Sequence, residues 1–272
     1  MTETNNAMTV LPVLATRGEP YAYNGLITLQ VHLPVYIWTE ILTHRRFARN
    51  ASSSRAQRPD RHVGMGHYTP ETFYEDRPGM SVGAALPEDT QILASRVWEQ
   101  AWEDAVSYVN LLTELGVSRE QANRLLPTIK MVTGIITGTE HAWEKFLELR
   151  LTTNADTAMQ IFARSVKHVI DTINWQYSGV HVPFGGHPME AAGRIARVTY
   201  SGKNDGDNFE LAQRLLYNGH MSPFEHIAWF VSEDDAGLSA LNCKPEDTSN
   251  SGYVWDTMRS KLEIGEDWVD FS

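Results

Sequence analysis

Cysteine is almost missing: Cys243 is the only one in 272 residues. A single thiol cannot close an internal disulfide, which excludes a disulfide-stapled scaffold and fits a reducing compartment. Long apolar runs are missing too. None approaches the ~18–20 residues of a membrane-spanning helix. The first thirty residues carry no basic stretch leading into an apolar one. No anchor and no signal peptide are therefore expected, and the expected location is the cytoplasm. Positive charge is scarce: 23 Lys and Arg stand against 34 Asp and Glu, a net charge of −11. Broad nucleic-acid binding needs the opposite balance, although a local basic pocket for a phosphorylated small molecule remains open. Metal-ligand patterns are also lacking. His62 and His67 share one loop and His181 and His187 another, but no Cys pair or His-Glu-x-x-His accompanies them, so no metal site is expected.

What is present is an ordinary globular composition, 42% hydrophobic and 21% charged, on a chain long enough to bury a large core. One catalytic domain over 1–272 is expected. Its parts are a signature loop and helical region at about 26–178, a second segment at about 189–232, and an acidic tail at 233–272. Residues 1–20 read as an irregular arm. Ile27, Leu29, Val31 and Leu33 alternate, which predicts a strand over Leu26–Leu33. Pro34 predicts a helix from Val35 to about Phe47. Residues 48–90 read as a long loop rich in Ser, Pro and Gly. Periodicity predicts a helix over 89–115 that stops at Gly116. Ser118 and Gln121 form a capping box that opens a helix reaching about Leu149, bent near Pro127 and Gly134. A further helix is expected over 155–174, then a linker over 175–190. Arg194–Tyr200 reads as a short strand or helix. Asp207 caps a helix ending near Asn218, with Gly219 as its stop. Ile227–Val231 reads as a strand.

The chemistry concentrates in Thr43-His44-Arg45-Arg46-Phe47-Ala48-Arg49-Asn50-Ala51-Ser52-Ser53-Ser54-Arg55. Arg presents a planar fork of donors that matches phosphate, and Ser adds a short donor. A solvated basic loop would have the same composition.

The segment resembles the signature of the flavin-dependent thymidylate synthases, which is Arg-His-Arg, seven residues, Ser, and an Arg two further on. His44, Arg45, Ser53 and Arg55 match, Asn50 falls where the family has Asn, and Thr43 replaces the first Arg. Gly219-His220-Met221-Ser222-Pro223-Phe224-Glu225-His226 is similar to the family's Gly-His-x-Ser-Pro-Phe-Glu-His. Ala196-Arg197-Val198-Thr199-Tyr200 is similar to its Ala-Arg-Val-Ser-Tyr. Gly116–Pro127 and Phe146-Leu147-Glu148-Leu149-Arg150 resemble two helical segments, and Arg77-Pro78-Gly79-Met80 resembles a turn of the longer branch. The family order places the Ser-Pro-Phe-Glu-His piece before the signature; here it follows. The resemblance is therefore to a circularly permuted member, an order that closely spaced termini permit.

The resemblance implies an α/β (α+β) fold with a mixed, largely antiparallel sheet flanked by long helices. In that sheet Leu26–Leu33 and Ile227–Val231 would pair and bring His226 toward His44. It implies a homotetramer with sites where subunits meet. FAD, methylenetetrahydrofolate and NADPH are the implied cofactors, and C5 methylation of dUMP to dTMP the implied reaction. Hydroxymethylation of dUMP, action on dCMP, or non-catalytic nucleotide binding are the alternatives. Ser53, Ser54, Arg55, Arg124 and Arg150 fall to the nucleotide, with Ser53 and Arg150 as catalytic residues. His44, Arg45, Asn50, Thr199 and His226 fall to the flavin. The chain departs from the family pattern at Glu40, Ala51, Asn123, His141, Lys145 and Asn154. Cys243 lies outside every matching segment, and the flavin route needs no thiol nucleophile.

Overall fold

Strands form where β-branched residues run together, and Leu26–Pro34 (β2) shows the reason most clearly. Ile27, Leu29, Val31 and Leu33 enter one apolar cluster, while Leu26 packs into another and Thr28 bonds across the opposite face. Both faces are covered, as a central strand requires. The computed structural model describes residues 7–18, 25–79, 81–200, 207–232 and 253–263.

β2 is flanked by β1 (Thr9–Arg17) and leads directly into the short helix α1 (Val35–Ile41). After α1 come β3 (Phe47–Ala51), α2 (Pro59–Gly64), the long α3 (Glu88–Glu114) and one turn of α4 (Arg119–Ala122). A 3-10 turn over Asn123–Leu125 leads to β4 (Met131–Thr139), then α5 (Glu140–Arg150) and α6 (Thr157–Thr172). The five-stranded sheet runs β3-β4-β2-β1-β5, closed by β5 (Gln176–Tyr177). Its pairings are antiparallel apart from β1–β5, and Leu29 lies opposite Ile136. A three-stranded antiparallel sheet holds β6 (Val180–His181), β7 (Ala228–Ser232) and β8 (Tyr253–Thr257), with α7 (Pro188–Ala196), α8 (Asn208–Tyr217) and α9 (Met258–Glu263) beside it.

The helices obey their caps. Asp156 accepts a hydrogen bond from the Met159 amide at 3.0 Å and starts α6, and Asp207 does the same for Glu210 at 2.7 Å before α8. Each such cap stabilises by ~1 kcal/mol. α6 buries Ala158, Met159, Phe162, Ala163 and Val166, one stripe at helical spacing. Gly116 and Gly219 end their helices with φ of 79° and 72°, the left-handed stop that glycine adopts without strain.

Several expectations are corrected. The helix at Pro34 ends at Ile41, and Phe47 begins β3, so the middle of the Arg-rich segment, Phe47–Ala51, is strand. The helix expected from Ser118 to Leu149 is two helices separated by β4. Its Gly134 and Gly138 are not helix breaks. An added Cβ would lie 2.5 Å from the Trp38 ring at Gly134 and 2.4 Å from the Phe47 ring at Gly138, so these glycines let aromatic rings lie flat on the sheet. The arm at 1–20 contains β1, and the linker at 175–190 contains β5 and β6. The ambiguous Arg194–Tyr200 is the end of α7 and the turn after it. The tail contains β8 and α9, while its residues 233–252, with Cys243, and Met80 of the Pro-Gly-Met turn lie outside the described residues. Finally, β2 and β7 do not pair. They belong to different sheets, whose facing sides meet through Leu26, Ala48, Ala228 and Trp255.

A hydrogen-bonded chain crosses that meeting. Thr16 Oγ1 lies 2.9 Å from His181 Nδ1, and His181 Nε2 lies 2.8 Å from Thr28 Oγ1. Thr28 Oγ1 lies 2.6 Å from Thr137 Oγ1, which lies 2.8 Å from His226 Nδ1. All five side chains are buried. Burial holds both imidazoles neutral, with pKa values lowered to about 3.

Candidate functional site

The loop after β3 is built by clamps on both sides. The Ser52 amide donates to Thr133 O at 2.9 Å, the last link to β4. The chain then turns, with the Gln57 amide bonded to Ser53 O at 3.0 Å. Asn123 is buried and donates to Ser54 O at 2.8 Å and to Gln57 O at 3.0 Å. Arg119 donates to Ala56 O at 3.0 Å. On the far side, Gln57 Nε2 donates to Val198 O at 2.6 Å.

Between the loop and the 3-10 turn lies a cavity of about 260 Å³, lined among others by Trp38, Ser52, Ser54, Asn123, Arg124 and Lys130. No carboxylate lines it. Lys130 is only 7% exposed, and burial, then the nearby Arg124, lower its pKa. Two cations and two serines around this cavity are donors of the kind that a phosphate group takes.

The nucleotide residues expected from the sequence divide. Ser54 and Arg124 line this cavity. Ser53 turns its hydroxyl back to accept from the Arg55 amide at 3.3 Å. Arg55 is 72% exposed and pairs with Glu120 at 3.1 Å. Arg150 sits in a second cluster at the end of α5. Its Nε–H donates to His44 Nε2 at 3.0 Å, and its Nη1 bonds Glu40 Oε2 at 3.0 Å. The His44 ring packs edge-on against Phe146, with centroids 5.1 Å apart. Burial, then Arg150 and Arg49, lower the His44 pKa to about 4. The ring is neutral at pH 7 and accepts through Nε2, so its proton is on Nδ1. Burial raises the Glu40 pKa, against the pull of Arg150.

The flavin residues divide as well. At the end of α1 His44 is half-buried beside Arg150 and Phe146, and Arg45 is exposed. Asn50 donates to Ile195 O at 3.0 Å and accepts from Ser222 at 3.3 Å. Thr199 donates to Ala51 O at 2.9 Å. His226, on the 3-10 turn Ser222–His226, is fully buried with Nε2 unpartnered. These three tie Ile195, Thr199, Ser222 and His226 to β3 and β4. Glu225 of the same turn pairs with Arg259 of α9.

Sequence reasoning missed Lys130, Trp38, Asn123 as a loop clamp, and Gln57. Lys130 and Val132 line the cavity from one face at a two-residue spacing, which reading the stretch as helix hid. The four loop histidines do not converge. His67 Nε2 lies 2.7 Å from Glu99, His181 is in the buried chain, His187 caps α7, and His62 is buried. Among the described residues no group of three or more His, Cys, Asp and Glu could hold a metal ion, and no helix is long and apolar enough to cross a membrane. A larger cavity of about 600 Å³ is walled by Tyr36, Tyr68, Phe73 and Trp98. It contains none of the residues expected to bind nucleotide or flavin.

Comparison with known proteins agrees with this architecture. Two solved structures similar to the chain are those of the UMP/dUMP methylase PolB from Streptomyces cacaoi, bound with 5-Br UMP and with 5-Br dUMP. They share 19% and 18% identity, with TM-scores of 0.54 and 0.53, over 61% of this chain and 89% and 90% of theirs. No curated protein matches the chain. The family model described as "Thymidylate synthase complementing protein" matches residues 24–173, more than half of the chain, from the start of β2 through α6. The chain belongs to the thymidylate synthase complementing protein family.

Proposed function

We propose that this protein is a flavin-dependent thymidylate synthase, transferring the one-carbon unit of methylenetetrahydrofolate to C5 of dUMP to form dTMP. The observation that carries the reading is the cationic cavity where Ser54 of the signature loop meets Arg124, 70 positions away in sequence (124 − 54). The family match and the fold shared with a UMP/dUMP methylase support it. The cavity would take the 5′-phosphate, and Arg150 would meet the base. His44 and Arg45 would hold FAD, which once reduced by NADPH would supply the hydride. Within one chain Asn50, Thr199 and His226 are engaged in packing, which leaves the exposed Arg45 and the half-buried His44 beside Arg150 to meet a flavin. The rest of its cradle would come from a neighbouring subunit.

An oligomer, as the resemblance implies a tetramer, has support from α3. Leu93, Val97, Tyr108, Leu111 and Leu115 are 52–70% exposed, more apolar surface than one helix usually shows water. The bonds that Ile195, Thr199 and Ser222 make to β3 support a permuted chain acting as one catalytic domain. The test is to supply dUMP, methylenetetrahydrofolate, FAD and NADPH and identify the product by mass spectrometry. A mass gain of one methylene supports the proposal, and recovery of unchanged dUMP refutes it.

A second reading has its own observation. Glu40 is paired with Arg150 at the place assigned to the base. A carboxylate accepts from the exocyclic amine of cytosine, as it does in nucleic-acid recognition, which favours dCMP. Running the same assay with dCMP decides between the two. A hydroxymethyl product would show in the same spectrum.

A further inference from the structure

Among the described residues the Lys130 side chain makes no hydrogen bond and pairs with no carboxylate, yet the residue is 93% buried (100 − 7). Its backbone is held firmly. The amide donates to Pro127 O at 3.0 Å, the carbonyl accepts from the Val35 amide at 3.0 Å, and the residue bridges His67. Its position is therefore fixed at the mouth of β4, with the side chain on the wall of the 260 Å³ cavity. Its ammonium is partly desolvated, which lowers its pKa, and a cation taken out of water destabilises a fold unless something compensates it. The groups around the cavity do not. Arg124 is a second cation, without a carboxylate partner among the described residues. Ser52 and Ser54 are neutral, and the Asn123 amide is spent on Ser54 O and Gln57 O. Nearby His62 is buried and neutral, with a pKa lowered to about 4 by burial and then by Lys130.

We propose that Lys130 is a direct ligand of the substrate's 5′-phosphate, forming with Arg124 the cationic pair that Asn123, engaged in clamping the loop, cannot supply. The inference rests on the nucleotide reading of this loop and adds a phosphate-specific residue to it. Lysine suits the position because its compact ammonium presents several donors to one anion. The arrangement sacrifices stability in the empty protein for affinity, as binding sites often do.

The test uses the full-length protein with Lys130→Gln, Lys130→Met and Lys130→Arg, with three probes: dUMP, deoxyuridine and inorganic phosphate. Calorimetry should show dUMP affinity falling at least tenfold in Lys130→Gln, deoxyuridine affinity unchanged, and Lys130→Arg recovering part of the loss. Without ligand, Lys130→Met should melt at or above the wild-type temperature, because an apolar side chain of similar length replaces a buried charge. Phosphate should raise the melting temperature of the wild type but not of Lys130→Met. Unchanged dUMP affinity in Lys130→Gln overturns the assignment while leaving the nucleotide site intact. If phosphate stabilises the wild type alone and dUMP does not bind, Lys130 is an anion ligand and the nucleotide reading fails. A Lys130→Met protein that melts lower and is still stabilised by phosphate makes Lys130 a structural residue and refutes the proposal.

Discussion

Thr137→Val tests how the two sheets are joined. Thr137 is fully buried, and its hydroxyl serves Thr28 at 2.6 Å and His226 at 2.8 Å. Valine preserves the shape and removes both bonds. Thr28 keeps its bond to His181, so that loss is about 1 kcal/mol. His226 loses the only hydrogen bond its ring makes among the described residues, where Nε2 has no partner. Leaving that buried ring unsatisfied costs a further ~1–3 kcal/mol. The sum, ~2–4 kcal/mol, should appear in urea unfolding at pH 7.5 as a lower midpoint with an unchanged slope. A loss below ~0.5 kcal/mol would show that the hydroxyl chain contributes nothing to joining the sheets. The same chain sets a pH dependence. His181 and His226 have folded pKa values of about 3 against an ordinary 6.5. Between those values the unfolded chain takes up protons that the folded rings refuse. Stability is therefore full above pH 6.5 and falls as the pH drops, by ~1.4 kcal/mol per pH unit for each ring. His181→Gln should flatten the slope between pH 6 and 4 by one ring's share, and an unaltered slope would refute the burial argument.

Three further outcomes are expected. In Arg150→Ala the pKa of His44 should rise from about 4, because one of the cations holding it down is gone. A titration of the ring by NMR that shows no change would dissociate the pair. Arg55→Ala should lower the stability of the free protein by less than ~1 kcal/mol, since its ion pair with Glu120 is exposed. A tenfold or larger loss of dUMP affinity in the same variant would therefore report a ligand contact, and unchanged affinity would remove Arg55 from the site. Gly193→Ala should lower the melting temperature, because its new methyl would lie 1.9 Å from Asn208 O where α7 meets α8. The overpacking should cost ~1–3 kcal/mol, and wild-type stability would mean that the two helices separate freely.

The sequence by itself determined what is local. Alternation at Ile27, Leu29, Val31 and Leu33 specified β2, and helical spacing specified α3, α6 and α8. Asp207, Gly116 and Gly219 specified helix ends, because capping and left-handed turns depend on a few adjacent residues. The spacing of His44, Arg45, Ser53 and Arg55 was enough to point to the family. The tertiary structure alone decided what depends on partners distant in the chain. β4 reads as the continuation of a helix until β2 and β3 lie on either side of it, since β propensity is expressed only through cross-strand packing. Whether β2 and β7 share a sheet could not be read from either strand. The roles of the cations were decided in the same way. Arg55, prominent in the signature, faces solvent and Glu120, while Lys130, inconspicuous in the sequence, is buried at the cavity. The charge of a side chain is encoded locally, but its desolvation is set by every element that folds around it.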